Sequence, residues 1–262
     1  MNETQLADLE HENFIAALAL VAEVVPAGFV ERHGGVLAAV SGSPIALFNP
    51  ILIETPEATP ADLEAALAAV TATGHRFSAY LRVGTDDRLR PVLEASALEP
   101  GEGAPGMVMT PIVGYDMPSD LEIRSGTSPD VIAGHTDVVA AAFDMSREII
   151  ETFMVPELFV HESLTFYAGF VDGECVTASF GQHRGPALTV FNVATLEGYR
   201  GRGYGTAMTM RAAIDGRDAG CEVAVLQSSP MGYPVYDRLG FRTVVEYEEW
   251  VSPRPQDPPS AS

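Results

Sequence analysis

Along residues 121–251 the spacing of apolar residues switches repeatedly between the two-residue period of a strand and the 3.6-residue period of a helix. "LEIR" (121–124) reads as a short strand. "SPDVIAGHTDVVAAAF" and "SREIIETFMV" each begin with a capping Ser and continue with apolar residues at helical spacing. "LTFYAGFVDGECVTASFG" sets two β-rich runs on either side of Asp172-Gly173, a pair that favours positive φ at both centres of a turn and so predicts a hairpin. "ALTVFNVATL" is a further strand. "GYGTAMTMRAAIDGRDAG" then places Ala207, Met210, Ala213 and Ile214 on one helical face and stops at Gly220. With the strand "EVAVLQSS", the short helix "GYPVYDRLGF" and the strand "RTVVEYEEWV", the predicted order is β-α-α-β-β-β-α-β-α-β.

The first half offers a similar order. "ETQLADLEHENFIAALALVAEV" reads as a helix, "GGVLAAVSG" and "IALFNPILIET" as strands, "TPADLEAALAAVTATG" as a capped helix and "RFSAYLRVG" as a strand. A helix in "DDRLRPVLEASALEPG" and a strand in "GMVMTP" complete it. The closing strand-helix-strand-helix-strand series mirrors residues 187–250, which predicts a structural repeat. Gly and Pro are concentrated in residues 103–120, the expected linker between the halves.

Composition changes this picture in three respects. Hydrophobic residues make up 47% of the 262 and charged ones 19%, a globular balance with room for a sizeable core. Acidic residues outnumber basic ones by 36 to 15, a formal net charge of −21, and the chain contains no Lys. Such a surface repels nucleic acid and anionic membranes, whereas a cationic small molecule or a basic peptide is an electrostatically matched partner. Solubility in a salty cytosol, or a codon bias toward Arg, accounts for the same charge. Cys175 and Cys221 lie in apolar runs and are expected to be buried free thiols. The start of the chain lacks a basic stretch followed by an apolar core, and no apolar run reaches the roughly 18 residues needed to cross a bilayer. A cytoplasmic protein is therefore expected, with the Pro-rich residues 252–262 as a disordered tail.

The chemistry is concentrated in "EGYRGRGYGTAM", residues 197–208, where glycines at alternate positions lead from a strand into a helix. Such a loop lets backbone approach a ligand closely, and the helix start offers unpaired N–H groups and a positive dipole end. A P-loop would need a Lys after its second glycine, and there is none. A dinucleotide fingerprint would need a small residue where Thr206 or Met208 stands. What remains is Arg/Gln-x-x-Gly-x-Gly/Ala, met by Arg200, Gly203 and Gly205.

With the strands "FNVAT" and "VAVLQSS" and the segment "GYPVYDRLGF", this loop resembles the core of the GNAT superfamily of acetyl-CoA-dependent N-acyltransferases. The resemblance covers about residues 120–250. It implies an α/β (α+β) fold with a mixed central sheet flanked by helices in two tandem copies: a degenerate one in residues 1–115 and an N-acetyltransferase domain in 119–251. In the first copy the position of the loop holds "ETPEATPADLE", with two prolines and no glycine.

By the same resemblance, the coenzyme A pyrophosphate of the cosubstrate acetyl-CoA rests on the backbone of Gly201, Arg202, Gly203, Tyr204, Gly205 and Thr206. Arg200 and Arg202 add charge, and Val193, Ala194 and Thr195 lie along the pantetheine arm. Tyr236 holds the general-acid position. A phenol with a pKa near 10 stays protonated at neutral pH and can protonate a departing thiolate. For the general base the sequence leaves Asp144, Glu148, Glu151, His183 and Glu197 open, or no base at all where the amine arrives neutral. No metal is expected. The acceptor is a small-molecule amine or basic peptide, and the chain is a monomer or homodimer. A sensor or scaffold that binds acyl-CoA without turnover, and transfer to a hydroxyl, are the alternatives.

Overall fold

The computed structural model describes residues 1–253. Helix α1 (Glu3–Val24) begins at a reciprocal cap, in which the Asn2 side chain accepts from the Gln5 N–H and the Gln5 side chain accepts from the Asn2 N–H, both at 2.9 Å. There follow β1 (Phe29–His33), β2 (Val36–Val40), β3 (Pro50–Ile53), α2 (Pro60–Thr71), β4 (Ser78–Arg82), α3 (Arg90–Glu94), β5 (Glu99–Pro100) and β6 (Ala104–Met109). The second half runs β7 (Glu122–Ser125), α4 (Pro129–Ala142), α5 (Arg147–Ile150), α6 (Pro156–Phe159), β8 (Leu164–Val171) and β9 (Glu174–Arg184). It ends with β10 (Ala187–Thr195), α7 (Tyr204–Asp218), β11 (Val223–Gln227), α8 (Tyr233–Leu239) and β12 (Arg242–Val251).

This is a mixed α/β architecture whose strands join one large sheet, in the order β1-β2-β3-β4-β12-β6-β11-β10-β9-β8-β7, with β5 against β12. The parallel pairs are β3–β4 and β10–β11, each bridged by a helix, α2 in the first half and α7 in the second. Side-chain alternation assigns the helices to faces. Helix α1 packs on the side of Leu37, Leu52, Val108, Val223 and Val225, while α2 and α7 cover the opposite side, with Val36, Ile51, Met107, Ala224 and Leu226. The end of α1 also meets α6, and its Leu20 and Val21 share one core cluster with Val131 and Val138 of α4.

The structure corrects three sequence expectations. Residues 103–120 do not form a linker throughout, because β6 sits in the middle of the sheet with Met107 and Val108 fully buried. Strand β6 lies against β11 of the second half, and β12 lies against β4 of the first, so the halves exchange their last strands. "SREIIETFMV" is helical only over Arg147–Ile150, and a separate short helix, α6, starts at Pro156, a residue suited to a first helical position. Ser252, expected in the tail, closes the sheet: its N–H donates to the Phe77 carbonyl and its hydroxyl accepts from the Phe77 N–H, both at 2.9 Å. The rest of the expected tail, from residue 254, lies outside the described residues. The Asp172-Gly173 hairpin forms as predicted, with φ of 50° and 85°. Both thiols are free, Cys221 buried and Cys175 only half-buried.

Candidate active site

The site starts from a divergence of strands. β10 and β11 pair only at Ala187–Val223, Leu188–Ala224 and Thr189–Val225, although β10 continues to Thr195 and β11 to Gln227. A bulge turns β10 away. Against β9, Phe191 pairs with Phe180 and Ala194 with Ala178, so Asn192 and Val193 together oppose Ser179. Asn192 takes a φ of 49°, a left-handed conformation that its short polar side chain tolerates. Beyond Thr189 the edge of β10 that faced β11 is left as a row of backbone groups without a partner strand.

At the end of that edge lies the glycine loop. Gly201 and Gly203 have φ of 77° and 82°, and Gly203 caps α7 without a side-chain hydrogen bond. The first bond of the helix runs from the Ala207 N–H to the Gly203 carbonyl at 2.9 Å. Among the described residues, the N–H groups from Gly201 to Thr206 therefore donate to nothing, leaving an open cradle at the positive end of a 15-residue helix. The start of α2 is built the opposite way. Thr59 accepts from the Asp62 N–H at 3.3 Å while the Asp62 carboxylate accepts from the Thr59 N–H at 2.8 Å, so this terminus already holds its own anion.

Loop and splay open on one cleft of about 500 Å³. Of the residues named from sequence, Val193, Ala194, Thr195, Arg200, Gly201, Gly203, Tyr204, Gly205, Thr206 and Tyr236 line it. Arg202 does not; its guanidinium sits 5.2 Å from the Tyr199 ring centre and donates to the Gly198 carbonyl, which turns it along the loop. Arg200 donates to the Thr195 carbonyl at 3.1 Å, and Tyr204 contributes backbone only, its buried hydroxyl donating to Asp120 at 2.6 Å.

Tyr236 is held by the end of α8. Gly240, at φ 94°, lets the Phe241 N–H reach back to the Tyr236 carbonyl at 3.0 Å and the Gly240 N–H to Asp237 at 3.0 Å. The Phe241 ring packs edge-on to Tyr236, with centres 5.9 Å apart. The Leu-Gly-Phe ending is thus the stop that fixes the phenol. Burial raises the pKa of Tyr236 above its ordinary 10.0, with the Thr209 hydroxyl working the other way.

None of the five candidate bases lines the cleft. Asp144 and Glu197 are exposed, Glu151 accepts from Arg147 at 2.8 Å, and Glu148 is kept below the usual carboxylate range by its own N–H and Ser146. His183 pairs with Leu188, toward the far end of β10 from the loop. Sequence reading missed Ala142 and Phe143 at the end of α4, and Ser229 and Met231 before α8, all of which line the cleft. Their only signal is structural: Phe143 is 49% and Met231 74% exposed at its mouth, unusual for such side chains.

Residues 139–241 match the profile of the acetyltransferase (GNAT) family. This segment is a GNAT-family domain. Its match spans the splay, the glycine loop and Tyr236. Solved structures similar to the whole chain include a GCN5-related N-acetyltransferase from Kribbella flavida, at TM-score 0.71 and 17% identity, covering 92% of this chain and 96% of that one. A tandem GNAT protein from the clavulanic acid biosynthesis pathway aligns at TM-score 0.61 and 13% identity over 97% and 96% of the chains. A putative GNAT acetyltransferase from Novosphingobium aromaticivorans aligns at 0.57 and 19% over 93% and 97%. At these identities the likeness is one of fold, and it extends over both halves. No curated protein matches the chain in sequence. The GNAT family performs acyl-CoA-dependent acetyl transfer, and the open α7 terminus and splayed β10 edge suit such a ligand. Among the described residues no helix is long and apolar enough to cross a membrane.

Proposed function

We propose that this chain is an acetyl-CoA-dependent N-acetyltransferase acting on a primary amine by direct attack in a ternary complex. The observation that carries this reading is that the unpaired N–H groups of Gly201 to Thr206, the freed edge of β10 and Tyr236 border one cleft. The N–H cradle holds the pyrophosphate and the β10 edge aligns the pantetheine arm. As the amine nitrogen bonds to the acetyl carbon and the carbon–sulfur bond breaks, Tyr236 gives its proton to the leaving sulfur. The amine surrenders its own proton, which restores the phenol through solvent. Holding the amine and the thioester together at the splay supplies the proximity such a reaction needs. The test is calorimetric binding of acetyl-CoA, followed by thiol release over a panel of amines. Binding of a nicotinamide or triphosphate nucleotide in preference to acetyl-CoA would overturn the reading.

One observation favours a second reading, an acyl-CoA-binding sensor or scaffold: among the described residues no acid or histidine lines the cleft. Acetyl-CoA binding without thiol release for any amine would support it.

A further inference from the structure

The opposite face of the same splay carries groups that the coenzyme cradle does not use. Phe166, Phe180 and Phe191 stand in register across β8, β9 and β10, with ring centres 5.3 and 5.2 Å apart. Phe166 is fully buried, whereas Phe180 and Phe191 are half-buried, so this aromatic ladder surfaces where β10 leaves β11.

Phe191 and Gln227 each lie two residues beyond the last pair, Thr189–Val225, so alternation puts both on the face toward α1, one on each arm of the splay. Gln227 Nε2 donates to Glu10 Oε1 at 2.6 Å. Glu10 is fully buried, and Tyr247 Oη lies 2.7 Å from its other oxygen. Gly106 makes the room, since a Cβ there would lie 2.3 Å from Glu10 Oε1. Where Glu10 is ionised, or carries its proton on Oε2 toward Tyr247, Oε1 is the acceptor for the Gln227 amide. The Gln227 amide nitrogen is thereby committed to Glu10, while its Oε1 makes no hydrogen bond among the described residues. One rung deeper on this face, the fully buried Thr189 hydroxyl also has no partner. The face toward α1 therefore carries an aromatic ladder on β10 and, on β11, a carbonyl acceptor, with a buried hydroxyl one rung inward.

We propose that the acceptor is an amine with an aromatic or similarly flat apolar body, bound against Phe180 and Phe191 with its amino group on Gln227 Oε1, and that Glu10 is the residue positioning Gln227. The proposal rests on the acetyl-transfer reading above and narrows the acceptor beyond what net charge suggests. Stacking rewards the flat body and the carbonyl rewards an N–H donor. Glu10 is buried and already engaged by two partners, so it offers a polyamine no second anchor.

The experiment compares thiol release with 2-phenylethylamine, spermidine and an Arg-rich peptide, alongside acetyl-CoA binding by calorimetry. The expected result is a kcat/KM at least tenfold higher for 2-phenylethylamine. Phe191→Leu, which keeps an apolar side chain but loses the ring, raises its KM several-fold at unchanged acetyl-CoA affinity and unchanged Tm. Gln227→Leu raises KM at least tenfold. Glu10→Ala does the same with little change in kcat, and Glu10→Gln, which keeps an acceptor for Gln227, restores most of the loss. Preference for spermidine or the peptide, or a KM indifferent to Phe191→Leu and Gln227→Leu, overturns the proposal and leaves the acetyl-transfer reading standing. Intact acetyl-CoA binding with no amine turned over overturns it in favour of the sensor, and absent acetyl-CoA binding overturns both readings.

Discussion

Tyr247 Oη lies 2.7 Å from Glu10 Oε2, which joins the last strand of the sheet to the first helix through one buried hydrogen bond. The same oxygen is 2.9 Å from His11 Nδ1, and His11 Nε2 is 2.7 Å from the Ile53 carbonyl. A carbonyl only accepts, so Nε2 carries a proton. The single phenolic proton serves one neighbour at a time. Either it goes to a neutral His11 while a protonated Glu10 donates to Tyr247, or it goes to an ionised Glu10 while a charged His11 donates. Both arrangements have the same proton count and no net charge. Burial pushes Glu10 up to about 7 and His11 down to about 4, which makes the neutral pair the main form between those two values.

The two groups oppose each other in their effect on stability. Glu10, raised from 4.5, contributes stability that is full below pH 4.5 and lost as pH rises through about 7; His11, lowered from 6.5, contributes stability present above pH 6.5 and lost as pH falls through about 4. Arg82 and Asp86 also act on the pair, the guanidinium favouring the ionised Glu10 and the neutral His11. Glu10→Gln removes only the first contribution. Its unfolding free energy relative to the wild type should rise between pH 5 and pH 8 by on the order of 3 kcal/mol. Denaturant titrations at the two pH values measure this; a constant difference would mean that Glu10 ionises freely in the folded protein.

Tyr236→Phe keeps the ring against Phe241 and removes only the hydroxyl. We expect kcat to fall by about 10² or more, with acetyl-CoA affinity unchanged. In the wild type the alkaline loss of rate due to this phenol should lie above pH 10, because burial raises its pKa. A full pH–rate profile of both proteins checks the assignment, and identical profiles would remove Tyr236 from proton transfer.

The two helix termini separate ligand binding from stability. Gly203→Val forces a β-branched side chain to φ 82°, costing about 1–2 kcal/mol and distorting the cradle, so the Kd for acetyl-CoA should rise at least tenfold. Thr59→Ala removes the α2 cap, costing about 1 kcal/mol with no change in acetyl-CoA binding. Calorimetry and thermal melts on both variants read the contrast.

Because β12 lies between β4 and β6, neither half completes its sheet alone. Trp250, the single tryptophan, belongs to β12 yet packs in the core of the first half with Leu63 and Ala79. Its fluorescence and the far-UV circular dichroism of the whole chain should therefore follow one superimposable urea transition. Separate midpoints would show that the halves unfold independently.

The sequence by itself determined the local order: the Asp172-Gly173 hairpin, the capped α2, the glycine entry to α7 and the Gly240 stop behind Tyr236. Each depends on residues within a few positions of one another, where φ preferences and capping groups act directly. The same locality made the glycine-loop side of the cleft legible, since strand, loop and helix follow consecutively from Val193 to Thr206. Only the tertiary structure decided what those elements meet. The exchange of β6 and β12 joins residues more than a hundred positions apart. The turn of Arg202 away from the cleft, and the meeting of Glu10 with Gln227 and Tyr247, likewise depend on packing across the sheet. No period or motif records these contacts, because sequence spacing constrains neighbours along the chain, whereas burial selects partners across it.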